Sequence, residues 1–273
     1  MPSESIPTAH APIGVFDSGA GGLSIVAAIR VALPRQPIVY YADTAFAPYG
    51  PRSDQEILAR THFCCSRLLE HGVAALVVAC NTATANAIDE LRSWAPVPVI
   101  GVEPGLKPAA SSTRNGIVGV LATRATLASR RYRELLRRVS EQAPEVRFIA
   151  HAAHGWVELV ESGDLESPHA RALVRQAVQS LLDEGADTLV LGCTHYPFLR
   201  SAIEASAGAA TIIETGPAIA RELQRRLPQV APTAVSAATQ LLQLESSGDR
   251  EQFAALAESL LAAVTSGRQR ASN

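Results

Sequence analysis

Along nearly the whole chain, short runs of Val, Ile and Leu alternate with longer stretches whose apolar residues recur every three or four positions. The first pattern suits strands buried on both faces and the second suits helices covering them, so the alternation predicts βαβ units and a mostly parallel sheet. Strands are expected at Ile13–Phe16, Ile38–Ala42, Ala74–Ala79, Val97–Val102, Ile117–Leu121, Val146–Ala150, Thr188–Gly192 and Ala210–Glu214. Helices are expected at Asp54–His71, Thr84–Trp94, Thr126–Val139, Ala170–Glu184 and Phe198–Ala205. The tail from Pro217 to Ala262, rich in Ala, Leu, Gln and Arg, reads as helical.

The pattern repeats. Glu70-His-Gly-Val-Ala-Ala-Leu-Val-Val-Ala-Cys80-Asn-Thr82 aligns with Asp183-Glu-Gly-Ala-Asp-Thr-Leu-Val-Leu-Gly-Cys193-Thr-His195, pairing Gly72 with Gly185 and Cys80 with Cys193, each 113 residues apart. Upstream, Ile13-Gly-Val-Phe-Asp-Ser18 faces Val118-Gly-Val-Leu-Ala-Thr123 at an offset of 105. Solenoid repeats run to roughly 20–50 residues, so this period indicates a duplicated α/β unit. Ligands of open α/β sheets bind beyond the carboxyl ends of the strands, and two such ends facing each other make one cleft. Cys80 and Cys193, each at a strand end and expected just before a helix, would both project into it.

Composition narrows the classes. With 273 residues, 47% hydrophobic and 18% charged, the chain can bury a large core, and its length suits roughly two domains. Its 24 Lys+Arg against 26 Asp+Glu leave a net charge of −2, which gives no general attraction to nucleic acid or to an anionic membrane. Met1–Pro12 lacks the basic and apolar regions of a signal peptide, and no apolar run spans a bilayer, so a cytoplasmic protein is expected. Four cysteines without a C-x-x-C pair argue against a disulfide scaffold and structural zinc.

Free cysteines are commonly small core residues. Two at equivalent positions of a repeat, followed by Asn81-Thr82 and Thr194-His195, instead suggest paired reactive thiols at helix N-termini, where the thiolate is favoured. Cys64 and Cys65 lie mid-helix and read as packing residues. Phe16-Asp-Ser-Gly-Ala-Gly-Gly-Leu-Ser24 is a strand, a Gly-rich turn and a helix start. It suits an anion at a helix N-terminus but matches neither dinucleotide nor Walker spacing, and Asp17 reads as a cap or an active-site carboxylate. The aromatic, Pro-rich stretch Tyr41–Arg52 suits a binding loop at the cleft rim or a rigid packing loop. Cys193-x-His195 falls short of three or four metal ligands, so no metal is expected, and His195 suits polarising a substrate or steadying the neighbouring thiol.

Five motifs in order resemble bacterial, cofactor-independent glutamate racemases: Asp17-Ser18-Gly19-x-Gly21-Gly22-Leu23-Ser24, Pro48-Tyr49-Gly50-x-Arg52, Ala79-Cys80-Asn81-Thr82-Ala83, Gly101-Val102-Glu103-Pro104 and Gly192-Cys193-Thr194-His195-Tyr196-Pro197. The resemblance implies an α/β fold of two related, doubly wound Rossmann-like domains with mostly parallel sheets and the active site in the cleft between them. Residues 1–104 with the returning tail 214–273 would form the first domain, and 105–213 the second.

The resemblance further implies interconversion of L- and D-glutamate for peptidoglycan synthesis, with no cofactor, by a homodimer. Cys80 would act on the D enantiomer and Cys193 on the L enantiomer, assisted by Asp17 and His195. Glutamate would be held by Asp17, Ser18, Tyr49, Gly50, Asn81, Thr82, Thr194 and His195, with Thr123 and Thr126 adding contacts. Glu161 matches a family glutamate assisting the His195 side, although Ala153-His154 stands where the family often carries Cys-Pro. Racemisation without a cofactor needs a proton-transfer group on each face of a planar carbanion, which two matched thiols supply. The rival readings are an aspartate or hydantoin racemase, a one-thiol decarboxylase of the same superfamily, and a two-lobed amino-acid binding protein.

Overall fold

The computed structural model describes residues 11–227 and 241–271. Its strands are β1 (Ile13–Asp17), β2 (Ile38–Ala42), β3 (Ala75–Val78), β4 (Val99–Gly101), β5 (Ile117–Ala122), β6 (Arg147–Ala152), β7 (Thr188–Leu191), β8 (Thr211–Ile213) and β9 (Leu242–Ser246). They form two sheets, ordered β4-β3-β1-β2-β9 and β6-β5-β7-β8, and every pairing is parallel. Reversing the second order gives β8-β7-β5-β6, which matches β4-β3-β1-β2 strand for strand. The sequence repeat is therefore a repeat of topology. The α/β fold of two related parallel sheets agrees with expectation.

The helices are α1 (Leu23–Ala32), α2 (Asp54–Leu69), α3 (Asn81–Trp94), α4 (Leu106–Ser112), α5 (Arg124–Ala128), α6 (Arg130–Gln142), α7 (Trp156–Glu161), α8 (Pro168–Asp183), α9 (Arg200–Ala207), α10 (Gly216–Arg226) and α11 (Arg250–Ala271). Local sequence sets their ends. Ser53 and Glu56 form a reciprocal capping box that starts α2, and Ser167 followed by Pro168 starts α8. The two glycines aligned by the repeat, Gly72 and Gly185, have φ of +66° and +91° where α2 and α8 give way to the next strand. That left-handed conformation suits glycine, so the repeat preserves a backbone requirement.

Two expectations are corrected. Thr126–Val139 is not one helix, because Ser129 adopts an extended conformation and its hydroxyl accepts from Tyr132 N, capping α6 inside the expected span. The tail is not wholly helical: α10 and α11 flank β9, which pairs with β2 from Ile38↔Leu242 to Ala42↔Ser246 and extends the first sheet. Residues 228–240 of that expectation lie outside the described residues. Among the described residues no helix is long and apolar enough to cross a membrane.

Candidate active site

The carboxyl ends of the two sheets open on one cavity of about 520 Å³. From the first sheet it is lined by Ser18 after β1, by Tyr49 and Gly50 in the loop after β2, and by Cys80, Asn81 and Thr82 after β3. The second sheet supplies Thr123 and Thr126 after β5 and Cys193, Thr194 and His195 after β7. Asp17 and Glu161 are absent from the wall and stand behind it. Arg124, His154 and Glu158 also line the cavity and were not among the expected residues. They come from loop positions and helix starts whose local sequence carries no chemical pattern.

Cys80 caps α3. Its Sγ accepts from Ala83 N at 3.4 Å and lies 3.4 Å from Ser18 Oγ. The helix terminus does not win, however. Burial pushes the Cys80 thiol up to about 11, the Asp17 charge adds to it, and the bonds from Ser18 and Ala83 offset only part. Cys193 differs in setting. It is followed by the 3-10 turn Tyr196–Leu199, with Pro197 in its first turn, and α9 begins only at Arg200, so the expected helix start directly after Cys193 is not found.

Behind Cys193 lies a buried chain of polar groups. His195 Nδ1 is 3.6 Å from Cys193 Sγ, and His195 Nε2 is 2.6 Å from Glu161 Oε1, which also accepts from Ala20 N at 2.8 Å. Burial favours the neutral imidazole, yet the bonds and negative charges of Cys193 and Glu161 hold His195 well above the ordinary histidine range. Burial likewise works against the Glu161 carboxylate, and the bond and charge of His195 together with the bond from Ala20 N outweigh it to hold Glu161 low. The short helix α7 delivers Glu161, and Trp156 at its start is fully buried edge-on against Tyr196, ring centres 4.8 Å apart. Ala153-His154 stands immediately before this packed turn.

Asp17 ties the two halves together. One oxygen accepts from Gly19 N at 2.9 Å and the other from the Thr194 hydroxyl at 3.1 Å. Burial pushes its carboxyl up to about 6, against the lowering pull of the His195 charge. The Gly-rich turn thus places its amides on the chain's own carboxylates: Gly19 N on Asp17 and Ala20 N on Glu161. The expectation of a ligand anion at this helix start gives way to that arrangement, since the first amides of α1 bond to Ala20 O, Gly21 O and Gly22 O.

The rim loop is also fixed. Tyr49 donates its hydroxyl to Asp43 Oδ2 at 2.6 Å, and Arg60 from α2 grips the same carboxylate at 2.7 and 3.0 Å. The guanidinium in turn lies 3.7 Å over the Phe46 ring. Cys64 and Cys65 are fully buried on α2, and burial alone pushes Cys65 up to about 12.

Comparison with known proteins agrees with this architecture. The profile of the Asp/Glu/hydantoin racemase family matches residues 23–223. The chain belongs to that family. Within it, the chain is 49% identical over 230 residues to a glutamate racemase of Cupriavidus pinatubonensis, covering 82% of this chain and 84% of that one. It is 46% identical over 250 residues to a glutamate racemase of Herpetosiphon aurantiacus, covering 91% and 97%. The crystal structure of Escherichia coli glutamate racemase in complex with L-glutamate and the activator UDP-MurNAc-Ala superposes with a TM-score of 0.80 at 33% identity, covering 92% and 95%. For this family member, the cavity between the sheets is therefore the place to look for amino-acid chemistry.

Proposed function

We propose that this chain racemises glutamate in the cavity between its sheets, using Cys80 and Cys193 as opposed proton-transfer groups. One observation carries the reading: two thiols at equivalent ends of two duplicated sheets open on the same cavity. In the L-to-D direction the Cys193 thiolate takes the α-proton of L-glutamate, leaving a carbanion whose charge spreads into the α-carboxylate. The Cys80 thiol then delivers a proton to the opposite face, and before the next L-to-D turnover Cys193 gives its proton to solvent and Cys80 takes one up, whereas a D-to-L turnover resets both sulfurs directly. The reverse direction exchanges the two roles.

His195, backed by Glu161, steadies Cys193 in this reading, and Asp17 and Ser18 attend Cys80. Asn81, Thr82 and Thr194 sit beside the thiols and serve the α-carboxylate and ammonium, while Thr123, Thr126 and the Tyr49–Gly50 turn hold the far carboxylate. Because the Tyr49 hydroxyl is committed to Asp43, this turn contributes backbone amides. Donors aligned on the α-carboxylate, where the charge develops, are worth about 2.7–4 kcal/mol each. The same reading treats 1–104 with 214–273 and 105–213 as the two domains, supported by the return of β9 to the first sheet, and takes the protein as a cytoplasmic homodimer supplying D-glutamate for peptidoglycan.

The direct test incubates purified protein with each glutamate enantiomer in D₂O without added cofactor, following optical rotation and α-hydrogen exchange by NMR. Exchange and loss of rotation from both enantiomers are expected. No exchange from either would overturn the assignment.

A further inference from the structure

Asp17–Ser24 forms the floor on which the other half's catalytic segment rests. Ser24 Oγ donates to Thr194 O at 2.8 Å, Asp17 accepts from the Thr194 hydroxyl, and Ala20 N donates to Glu161. Two glycines of this turn face the same groups. A Cβ on Gly21 would overlap His195 Nδ1 and lie 2.6 Å from its Cε1 and 2.7 Å from Thr194 Oγ1. A Cβ on Gly19 would overlap Glu161 Oε1 and lie 2.9 Å from Cδ. Neither glycine has the positive φ that would make glycine a backbone requirement. What these positions need is space.

We propose that Gly19 and Gly21 are positioning residues for the Cys193 side of the site: their missing side chains let His195 and Glu161 seat against the β1–α1 turn and set the reach of His195 to Cys193. The ring has no easy retreat, because it is buried, bonded to Glu161 through Nε2 and directed at Cys193 through Nδ1. Restoring ordinary contact with an added Cβ requires a shift of about 1 Å. A misplacement of that size in a proton-transfer group costs about 10²-fold in rate.

The inference rests on the two-thiol reading, and its test separates the two. Wild type, Gly21→Ala, His195→Ala and the double variant are assayed with α-deuterated L- and D-glutamate in ordinary water. Enantiomers have equal free energy, so kcat/KM must fall equally in both directions, by about 10²-fold for Gly21→Ala. The isotope effects must diverge. Cys193 removes the label from L-glutamate but delivers a solvent proton to the intermediate formed from D-glutamate. A slowed Cys193 step therefore raises the isotope effect from the L side and lowers that from the D side toward the equilibrium effect of the first transfer. A variant that is merely less folded moves neither.

In the His195→Ala background, adding Gly21→Ala is expected to cost clearly less than it does in wild type, since the ring it displaces is gone and only the Thr194 hydroxyl, 2.7 Å from the added Cβ, still has to shift. NMR titration of His195, which needs no turnover, is expected to show its pKa lowered in Gly21→Ala as the bonds to Glu161 and Cys193 lengthen. Wild-type activity in Gly21→Ala, a cost undiminished by His195→Ala, equal isotope changes from both sides, or an unmoved His195 titration would overturn the proposal. So would a double variant that fails to fold where His195→Ala folds. A wild type that exchanges neither enantiomer would instead defeat the two-thiol reading, and the titration would still decide the placement.

Discussion

Replacing Glu161 by Gln tests how much of the chemistry depends on a charge that never enters the cavity wall. The amide oxygen still accepts from Ala20 N and His195 Nε2, so the geometry is kept while the negative charge is removed. A hydrogen bond to a charged group contributes about 1.5–3 kcal/mol, and the lower part of that range applies because the Glu161 side chain is 27% exposed. A loss of about 1.5–2 kcal/mol in the transition state corresponds to a fall of about 10–30-fold in kcat/KM. The pH profile gives the sign. Glu161 helps raise the His195 pKa, so the variant's imidazolium loses its proton at lower pH, and the alkaline limb of kcat/KM moves about one pH unit toward acid. Racemisation followed by circular dichroism between pH 5 and 10 measures both. Activity within about twofold of wild type, or an alkaline limb that stays in place, would show that the 2.6 Å contact has no part in the proton transfer.

Other expected outcomes follow from the same geometry. Cys80→Ser and Cys193→Ser should each lower racemisation by about 10²–10⁴-fold, while Cys64→Ala, buried away from the cavity, keeps activity; polarimetry on the three variants decides it. Asp17→Asn should abolish the acid limb of the pH–rate profile near 6 and lower the rate without lowering Tm at pH 8. The folded-state pKa of Asp17 is raised, so its ionised form destabilises the fold above the unfolded value and stability rises as pH falls through 6. Arg60→Ala leaves the buried Asp43 carboxylate without its cation, costing about 3 kcal/mol and lowering Tm by about 6–12 °C in calorimetry. Asp43 is held below the ordinary carboxylate range, so this deficit is full near neutral pH and fades below about pH 4, and a deficit that persists there would refute the assignment.

How much of this was legible in the sequence depended on the range of the signal. Both parallel sheets follow from runs such as Ala75–Val78 and Thr188–Leu191, because a strand covered on both faces must be apolar throughout. The repeat then selected Cys80 and Cys193 over Cys64 and Cys65, since duplication carries positions as well as composition. The strand at Leu242–Ser246 alternates Leu-Gln-Leu-Glu-Ser but lies in a helix-rich tail, and only its pairing with β2 identifies it. Asp43, Tyr49 and Arg60 were visible as individual residues. Their association was not, because Arg60 reaches Asp43 only after α2 folds back over the rim loop.

The Gly-rich turn shows why local context can point to the right place for the wrong reason. A strand, a G-x-G-G turn and a helix start suggest an anion site, and anions are present, but they are Asp17 and Glu161 of the chain itself. Glu161 lies 141 residues from the amide it meets, so no spacing rule connects them. The charge relations of the thiols were hidden for a related reason. A helix N-terminus at Cys80 favours the thiolate, yet desolvation in the closed interior works harder against it, and burial is a property of the assembled fold. On the Cys193 side the fold supplies what the local sequence lacks. His195 is held above the ordinary histidine range by its bonds to Cys193 and to Glu161, which reaches it from α7, and both His195 and Glu161 lie against glycines of the opposite half. The duplication therefore provides two thiols at equivalent positions, while the contacts between the halves give them different electrostatic settings.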